Sequence, residues 1–66
     1  MQIILNGQPR DLSSNSTIAD LLRELDVAAS HVAIEVNRDL VPRVQHPEFH
    51  LSDGDVLEVV TLVGGG

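Results

Sequence analysis

Residues 16–25 read STIADLLREL, and their apolar side chains recur with the period of a helix. These side chains fall at positions i, i+3, i+4 and i+7 of one stripe, namely Ile18, Leu21, Leu22 and Leu25. Ser16 or Thr17 can cap the N-terminus, and Asp20 stands where a negative charge interacts favourably with the helix dipole. A single helix with one apolar stripe needs a sheet to cover.

Two β-rich segments precede this helix and meet at a tight turn. Residues 2–6, QIILN, predict a first strand. Asn6-Gly7 is typical of a type I′ hairpin turn, because both residues tolerate a positive φ. Residues 8–12, QPRDL, predict a return strand, in which Pro9 favours an edge or strand-start position. The helix is therefore preceded by a β-hairpin.

Alternating apolar residues return after the helix. In residues 31–36, HVAIEV, the valines and the isoleucine share one face of a predicted strand, and Ala33 and Glu35 share the other. A turn at 37–39 leads to a short predicted strand at 40–43, LVPR, whose proline keeps it at an edge or ends it. A second hairpin-like unit is therefore expected.

An irregular segment is expected to follow. Residues 44–52 predict loop or one short helical turn, with Phe49 and Leu51 tucked under the core. Residues 52–55, SDGD, have the composition of a turn.

The run VLEVVTLV at 56–63 is the strongest strand prediction, because it is rich in β-branched residues. Glu58 marks its solvent side, which it shares with Val56, Val60 and Leu62. The alternate residues Leu57, Val59 and Thr61 are expected to face the helix. The sheet face left open by the helix would then carry Val60 and Leu62 beside Ala33 and Val41. An apolar patch rimmed by charge is a candidate interaction surface, although isolated exposed valines are also ordinary on a sheet.

The order of these elements predicts the fold class. One helix packed on one face of a mixed sheet, built from two hairpin-like halves, is an α+β arrangement. The β-grasp is the compact topology that matches this order and these lengths. We expect a single β-grasp domain over residues 1–66, with 63–66 as a flexible reactive tail.

Size and charge limit the classes of partner. The chain has 66 residues, a formal net charge of −6, and four Lys and Arg residues in total, all of them arginine. This length allows one domain with a thin aliphatic core. The acidic balance argues against nucleic acid and anionic membrane surfaces and favours partners with a basic surface. A charge that serves only solubility is the alternative.

The cellular compartment is predicted from what the sequence lacks. It has no cysteine, which excludes disulfides and thiolate chemistry and fits a reducing compartment. Its first residues lack the basic and apolar regions of a signal peptide, and no stretch has the length of a membrane span. We expect a cytoplasmic protein that is monomeric when free.

No motif typical of an enzyme is evident in the sequence. A Ser-His-Asp arrangement, paired buried carboxylates and a phosphate-binding glycine loop are all missing. His46 and His50 have the spacing of a helical metal pair, but Pro47 lies between them and no third ligand is evident. We therefore expect a protein that is not itself an enzyme and that holds no metal or cofactor.

Three glycines at 64–66 follow the last strand. A terminal carboxylate is unreactive towards nucleophiles until another protein activates it, usually as an acyl phosphate or an acyl adenylate. Three extended residues reach about 10 Å, and glycine lacks the Cβ that would clash in a narrow channel. The tail is suited to carry a carboxylate into another protein's active site, and an inert frayed terminus is the alternative.

Four segments together resemble the ThiS family, the sulfur carriers of the thiamine pathway. They are QIILNG at 2–7, EVNRDLVPR at 35–43, DGD at 53–55 and the glycines at 65–66. The resemblance covers the whole chain and implies a β-grasp fold. A Gly-Gly end is shared with ubiquitin-like proteins generally, whereas the VPR segment and the short length favour ThiS over the molybdopterin-synthase small subunit.

The resemblance also implies a reaction at the tail. By this reading an E1-like adenylating enzyme (ThiF type) adenylates the carboxylate of Gly66 with Mg-ATP. Sulfur from a cysteine desulfurase relay then converts it to a thiocarboxylate, which a thiazole synthase (ThiG type) consumes. Gly64 and Gly65 would enter the active site together with the reactive end. Gly64 departs from the family's doublet by extending it to a triplet.

Three further residues are candidates for partner contacts. Val60 and Leu62 belong to the expected open face, and Arg43 suits acidic groups on the activating enzyme. A solvated counter-charge is the alternative for Arg43.

Other functions remain open on the sequence alone. One is a sulfur carrier for another route, such as molybdopterin synthesis or tRNA thiolation. Another is a ubiquitin-like modifier that forms amide bonds with lysines of other proteins. A third, from a different class, is a non-covalent interaction module in which the tail is inert.

Overall fold

The computed structural model describes residues 1–62 and places one α-helix on one face of a five-stranded mixed sheet. The elements in chain order are β1 (Gln2–Leu5), β2 (Gln8–Asp11), α1 (Ile18–Glu24), β3 (Val32–Val36), β4 (Asp39–Leu40) and β5 (Val56–Thr61). Short 3₁₀ turns lie at Ala29–His31 and Arg43–Gln45. The predicted α+β, β-grasp class is confirmed.

The strand order is β2-β1-β5-β3-β4, so the last strand in sequence lies at the centre. β5 runs parallel to β1 and antiparallel to β3, and each hairpin adds one antiparallel edge strand. Each edge strand is short, and β2 also carries Pro9, which limits edge-to-edge pairing with other chains.

Both hairpins turn through two consecutive residues with positive φ. Asn6 and Gly7 have φ of 50° and 83°, as the predicted type I′ turn requires. Asn37 and Arg38 repeat this conformation with φ of 52° and 74°. The second turn places an arginine where glycine is usual.

Thr17 caps α1 in a reciprocal arrangement. The Asp20 N–H donates to Thr17 Oγ1 over 3.1 Å, and the Thr17 N–H donates to Asp20 Oδ2 over 2.9 Å. Ser16, the other predicted cap, instead donates its hydroxyl to the carbonyl of Ser13. These bonds satisfy N–H groups that a helix N-terminus otherwise leaves unpaired.

The same bonds make the cap sensitive to acid. The backbone N–H of Thr17, then its hydroxyl, and then the Arg23 guanidinium hold the pKa of Asp20 below its ordinary value. A depressed carboxyl pKa contributes stability above the unfolded pKa, and this contribution is lost as the pH falls through the folded one. We expect Asp20→Asn to lower Tm at neutral pH, and the difference from wild type to shrink in strong acid. Thermal unfolding followed by circular dichroism at several pH values measures this, and a constant difference would contradict it.

The core lies between α1 and the sheet and is aliphatic. Its buried members are Ile3, Leu12, Ile18, Leu21, Leu22, Val32, Ile34, Val36, Val41, Leu51 and Leu57. Phe49 and Val59 are partly buried against it. The predicted inward positions of the helix stripe and of β3 are confirmed.

Two predictions about the strands are wrong. The strand predicted at 40–43 is confined to Asp39–Leu40, because the chain turns into a 3₁₀ segment immediately after Pro42. Thr61, expected to face the helix, is exposed, so the covered part of β5 ends at Val59.

Candidate functional site

The side of the sheet opposite α1 forms an exposed apolar surface. Along β5, Leu57 points inward and is fully buried, so its neighbours Val56 and Glu58 point outward. Val60 and Leu62 continue this outward row and are 51% and 52% exposed. Val60 and Leu62, the two apolar residues predicted as partner contacts, are therefore accessible to a partner.

Strand register adds three more apolar residues to this surface. Ala33 pairs with Val60, Ile4 pairs with Val56, and Leu40 lies opposite Glu35. We call the whole set the open sheet face: Ile4, Ala33, Glu35, Leu40, Val56, Glu58, Val60 and Leu62. Ile4 and Leu40 were not predicted on this face, although alternation along β1 and the register of the β3–β4 hairpin could have identified them.

Val41, expected on this face, lies in the core instead. Its N–H donates to the Ile34 carbonyl over 2.9 Å, and Leu40 takes the outward position opposite Glu35. The physical reason is the pleat, because successive residues point to opposite sides of a sheet. The open sheet face therefore extends to the β4 edge through Leu40.

Leu62 is the last residue that the structure describes, and it is still held by the sheet. Its N–H donates to the His31 carbonyl over 2.8 Å. The candidate reactive residues Gly64, Gly65 and Gly66 lie outside the described residues. The sheet thus holds the chain up to four residues before Gly66.

Two turn asparagines hold β5 through their side chains. The Asn6 carboxamide accepts from the Val59 N–H over 2.9 Å and donates to the Val59 carbonyl over 3.3 Å. These two bonds extend the pairing between β1 and β5 beyond Leu5. The Asn37 carboxamide accepts from the Val56 N–H over 3.0 Å and donates to the Asp55 carboxylate over 3.0 Å. Both asparagines were predicted as turn residues, and their hydrogen bonds to β5 were not predicted.

Charges on the two sides of the sheet are arranged differently. On the helix side, Arg10 pairs with Glu24 and Arg23 pairs with Asp20, at 3.2 and 3.1 Å. On the open sheet face, Glu35 and Glu58 are direct cross-strand partners. No ion pair involving either glutamate occurs within residues 1–62.

Arg43, the third predicted contact residue, is exposed at the start of the second 3₁₀ turn. This turn leads away from β4 towards α1, since the His46 carbonyl accepts from the Ala19 N–H over 3.2 Å. Arg43 therefore lies beyond the β4 edge, outside the set that forms the open sheet face. Its role in partner binding stays a prediction.

The two histidines of the possible metal pair have separate partners. A ring nitrogen of buried His46 lies 3.1 Å from the Val41 carbonyl, and one of exposed His50 lies 3.3 Å from the Asn15 carbonyl. In the part of the chain with described coordinates, no group of three or more potential ligands is placed to hold a metal ion. Within the same residues, no helix has the length and apolar character needed to cross a membrane.

Several known proteins are similar to this chain over its whole length. The ThiS family model matches residues 3–66. The sulfur carrier protein ThiS of Escherichia coli is 32% identical over 66 residues, with all of both chains covered. A crystal structure of the thiamine biosynthesis protein ThiS from Geobacter metallireducens superposes with a TM-score of 0.85 at 30% identity, again over the whole of both chains.

A thiazole synthase from Paramagnetospirillum magneticum contains a similar segment. It is 39% identical over 66 residues, which are all of this chain but 20% of that protein. The chain therefore spans about a fifth of that relative's length.

Proposed function

The chain belongs to the ThiS family, and from this premise we propose that it is a sulfur carrier of thiamine biosynthesis that holds its sulfur on the carboxylate of Gly66. The match to the family over residues 3–66, which includes the glycines at 64–66, is the observation that carries this proposal. The hydrogen bond that holds Leu62 beside β3 supports it, because this bond fixes the chain four residues before the proposed reactive carboxylate.

The proposed chemistry begins with activation of the tail. An E1-like enzyme with Mg-ATP joins the Gly66 carboxylate to AMP and releases pyrophosphate. A persulfide on the cysteine desulfurase relay then attacks the acyl carbon and displaces AMP, and a thiol reductant cleaves the S–S bond of the resulting acyl disulfide with two electrons to leave a thiocarboxylate. The carrier contributes the carboxylate and a recognisable surface, and the partner enzymes contribute the catalytic groups.

We further propose that a thiazole synthase is the acceptor of the sulfur. The similar segment within the Paramagnetospirillum thiazole synthase supports this pairing, because one polypeptide holds the two parts at a high effective concentration. The open sheet face is the proposed docking surface, with Val60 and Leu62 at the end nearest the tail.

Intact mass spectrometry of the protein from cells grown without thiamine tests the carrier function. We expect a mass increase equal to the replacement of one oxygen by sulfur, and C-terminal fragmentation should locate it at Gly66. A carrier isolated from cells that lack the E1-like enzyme is the matched control and should remain unmodified. Stable amide adducts with lysines of other proteins, without any thiocarboxylate, would contradict the proposal and favour a modifier.

A further inference from the structure

Glu35 and Glu58 stand directly opposite each other at the centre of the open sheet face. Two backbone hydrogen bonds mark the ends of the β3–β5 ladder. The Asn37 N–H donates to the Val56 carbonyl, and the Leu62 N–H donates to the His31 carbonyl. They fix the alternation of hydrogen-bonded and non-hydrogen-bonded pairs along β3 and β5. By that alternation Glu35 and Glu58 form a hydrogen-bonded pair, in which the Cα atoms are about 5.5 Å apart. Both side chains leave the sheet on the same side.

The opposition of the two glutamate carboxylates is unfavourable in the free protein. Like charges directly opposite on one sheet face destabilise it. In the portion that the structure describes, neither carboxylate takes part in a side-chain hydrogen bond or an ion pair, whereas Asp20 and Glu24 on the helix side both have arginine partners. Glu35 is also partly buried, which increases the cost of its charge. The free protein thus keeps a charge pair that its own fold does not compensate.

The neighbours of the pair indicate what could compensate it. Ala33 and Val60 form the next outward pair along β3 and β5, and Leu40 flanks Glu35 on the other side. A partner that covers these residues removes water from both carboxylates, so it must supply positive charge and donors. A divalent cation would need further oxygen ligands, which these apolar side chains do not offer. An arginine fits better, because its planar guanidinium has five donors and is weakly hydrated.

We propose that the open sheet face docks a protein surface that inserts an arginine between Glu35 and Glu58, and that this surface belongs to the thiazole synthase. The inference rests on the proposed function for the identity of the partner. Charge complementarity and the apolar surroundings of the pair determine the chemistry of the contact. The glutamate pair thus favours partner surfaces that present an arginine, and it lowers the stability of the free carrier.

Neutral substitutions separate the two effects of the pair. We expect Glu35→Gln and Glu58→Gln each to weaken binding of the thiazole synthase from the same source by about tenfold or more, while raising the carrier's Tm by about 2–6 °C. Glu48→Gln makes the same charge change at an exposed site outside the open sheet face. This control should change neither quantity appreciably, and the wild-type Kd should rise with salt more steeply than that of the Gln variants.

The measurements are isothermal titration calorimetry with purified thiazole synthase and thermal unfolding of each free carrier. Weaker binding together with a higher Tm in both Gln variants supports the inference. Unchanged binding, or equal weakening by Glu48→Gln, overturns it. Absence of binding by the wild-type carrier also overturns it. Failure of the proposed function is seen separately, as a lack of ATP-dependent thiocarboxylate on the wild-type chain.

Discussion

Removal of Gly66 is expected to reduce ATP-dependent activation of the carrier by at least about a hundredfold while leaving its unfolding transition unchanged. The truncated chain still ends in a carboxylate, that of Gly65, but it is shorter by about 3.5 Å. A misplacement of about 1 Å can already cost about a hundredfold in rate. Among the described residues, Leu57 is the last core residue in sequence, and Val59 is partly buried against the core. The fold should therefore not depend on Gly66.

Pyrophosphate exchange catalysed by the E1-like enzyme measures this effect. The deletion should lower kcat with little change in KM, because the open sheet face is intact. Val60→Asp is the complementary variant. It places a charge on that face and should raise KM, since docking is weakened while the reactive end is retained. Undiminished pyrophosphate exchange after the deletion would contradict a reaction at Gly66. Absence of exchange with the wild-type chain, combined with a loss of partner binding in Val60→Asp, would favour a non-covalent interaction module.

Leu57→Ala is expected to lower the free energy of unfolding by about 3 kcal/mol, within the range of about 2–5 kcal/mol for buried Leu→Ala changes. Leu57 is fully buried on the central strand, between Leu5 of β1 and Val36 of β3. A chain of this length is stable by only about 3–10 kcal/mol. The single truncation should therefore remove a large part of the stability, and at the low end of that range it should unfold the protein.

Val60→Ala is the matched control, because it lies on the same strand and points to the opposite side. Its effect should stay within about 0.5 kcal/mol, as is usual for exposed positions. Urea unfolding followed by circular dichroism measures both variants. Similar losses in the two would show that the open sheet face carries as much packing as the helix side and would contradict the assignment of the core.

The sequence predicted the fold wherever local patterns are sufficient to determine it. The helix stripe, the Asn6-Gly7 turn, the inward face of β3 and the inward positions of Leu57 and Val59 follow from periodicity and turn chemistry. The prediction for Val41 was wrong because this residue directly follows β4, and a strand of two residues is too short to show an alternation. For the candidate site, Val60 and Leu62 were predicted, because alternation fixes the outward side of β5.

Other features depend on contacts between distant parts of the chain. The Asn6 carboxamide bonds to Val59, 53 residues away, and no local pattern distinguishes this role from that of an ordinary turn residue. The opposition of Glu35 and Glu58 likewise depends on the register between β3 and β5. Each glutamate alone has the appearance of an ordinary solvent-exposed residue on an alternating strand.

The central position of β5 has a consequence for synthesis on the ribosome. Its two neighbours, β1 and β3, precede it in sequence and are synthesised first. Until β5 is available, the edge of β1 and the edge of β3 that will pair with it are unpaired. Pairing between distant segments slows folding, and unpaired edges are prone to aggregation while they wait. A nascent chain interrupted before Val56 would hold two separate hairpins without a shared sheet. The five-stranded sheet can therefore close only once the final strand is available.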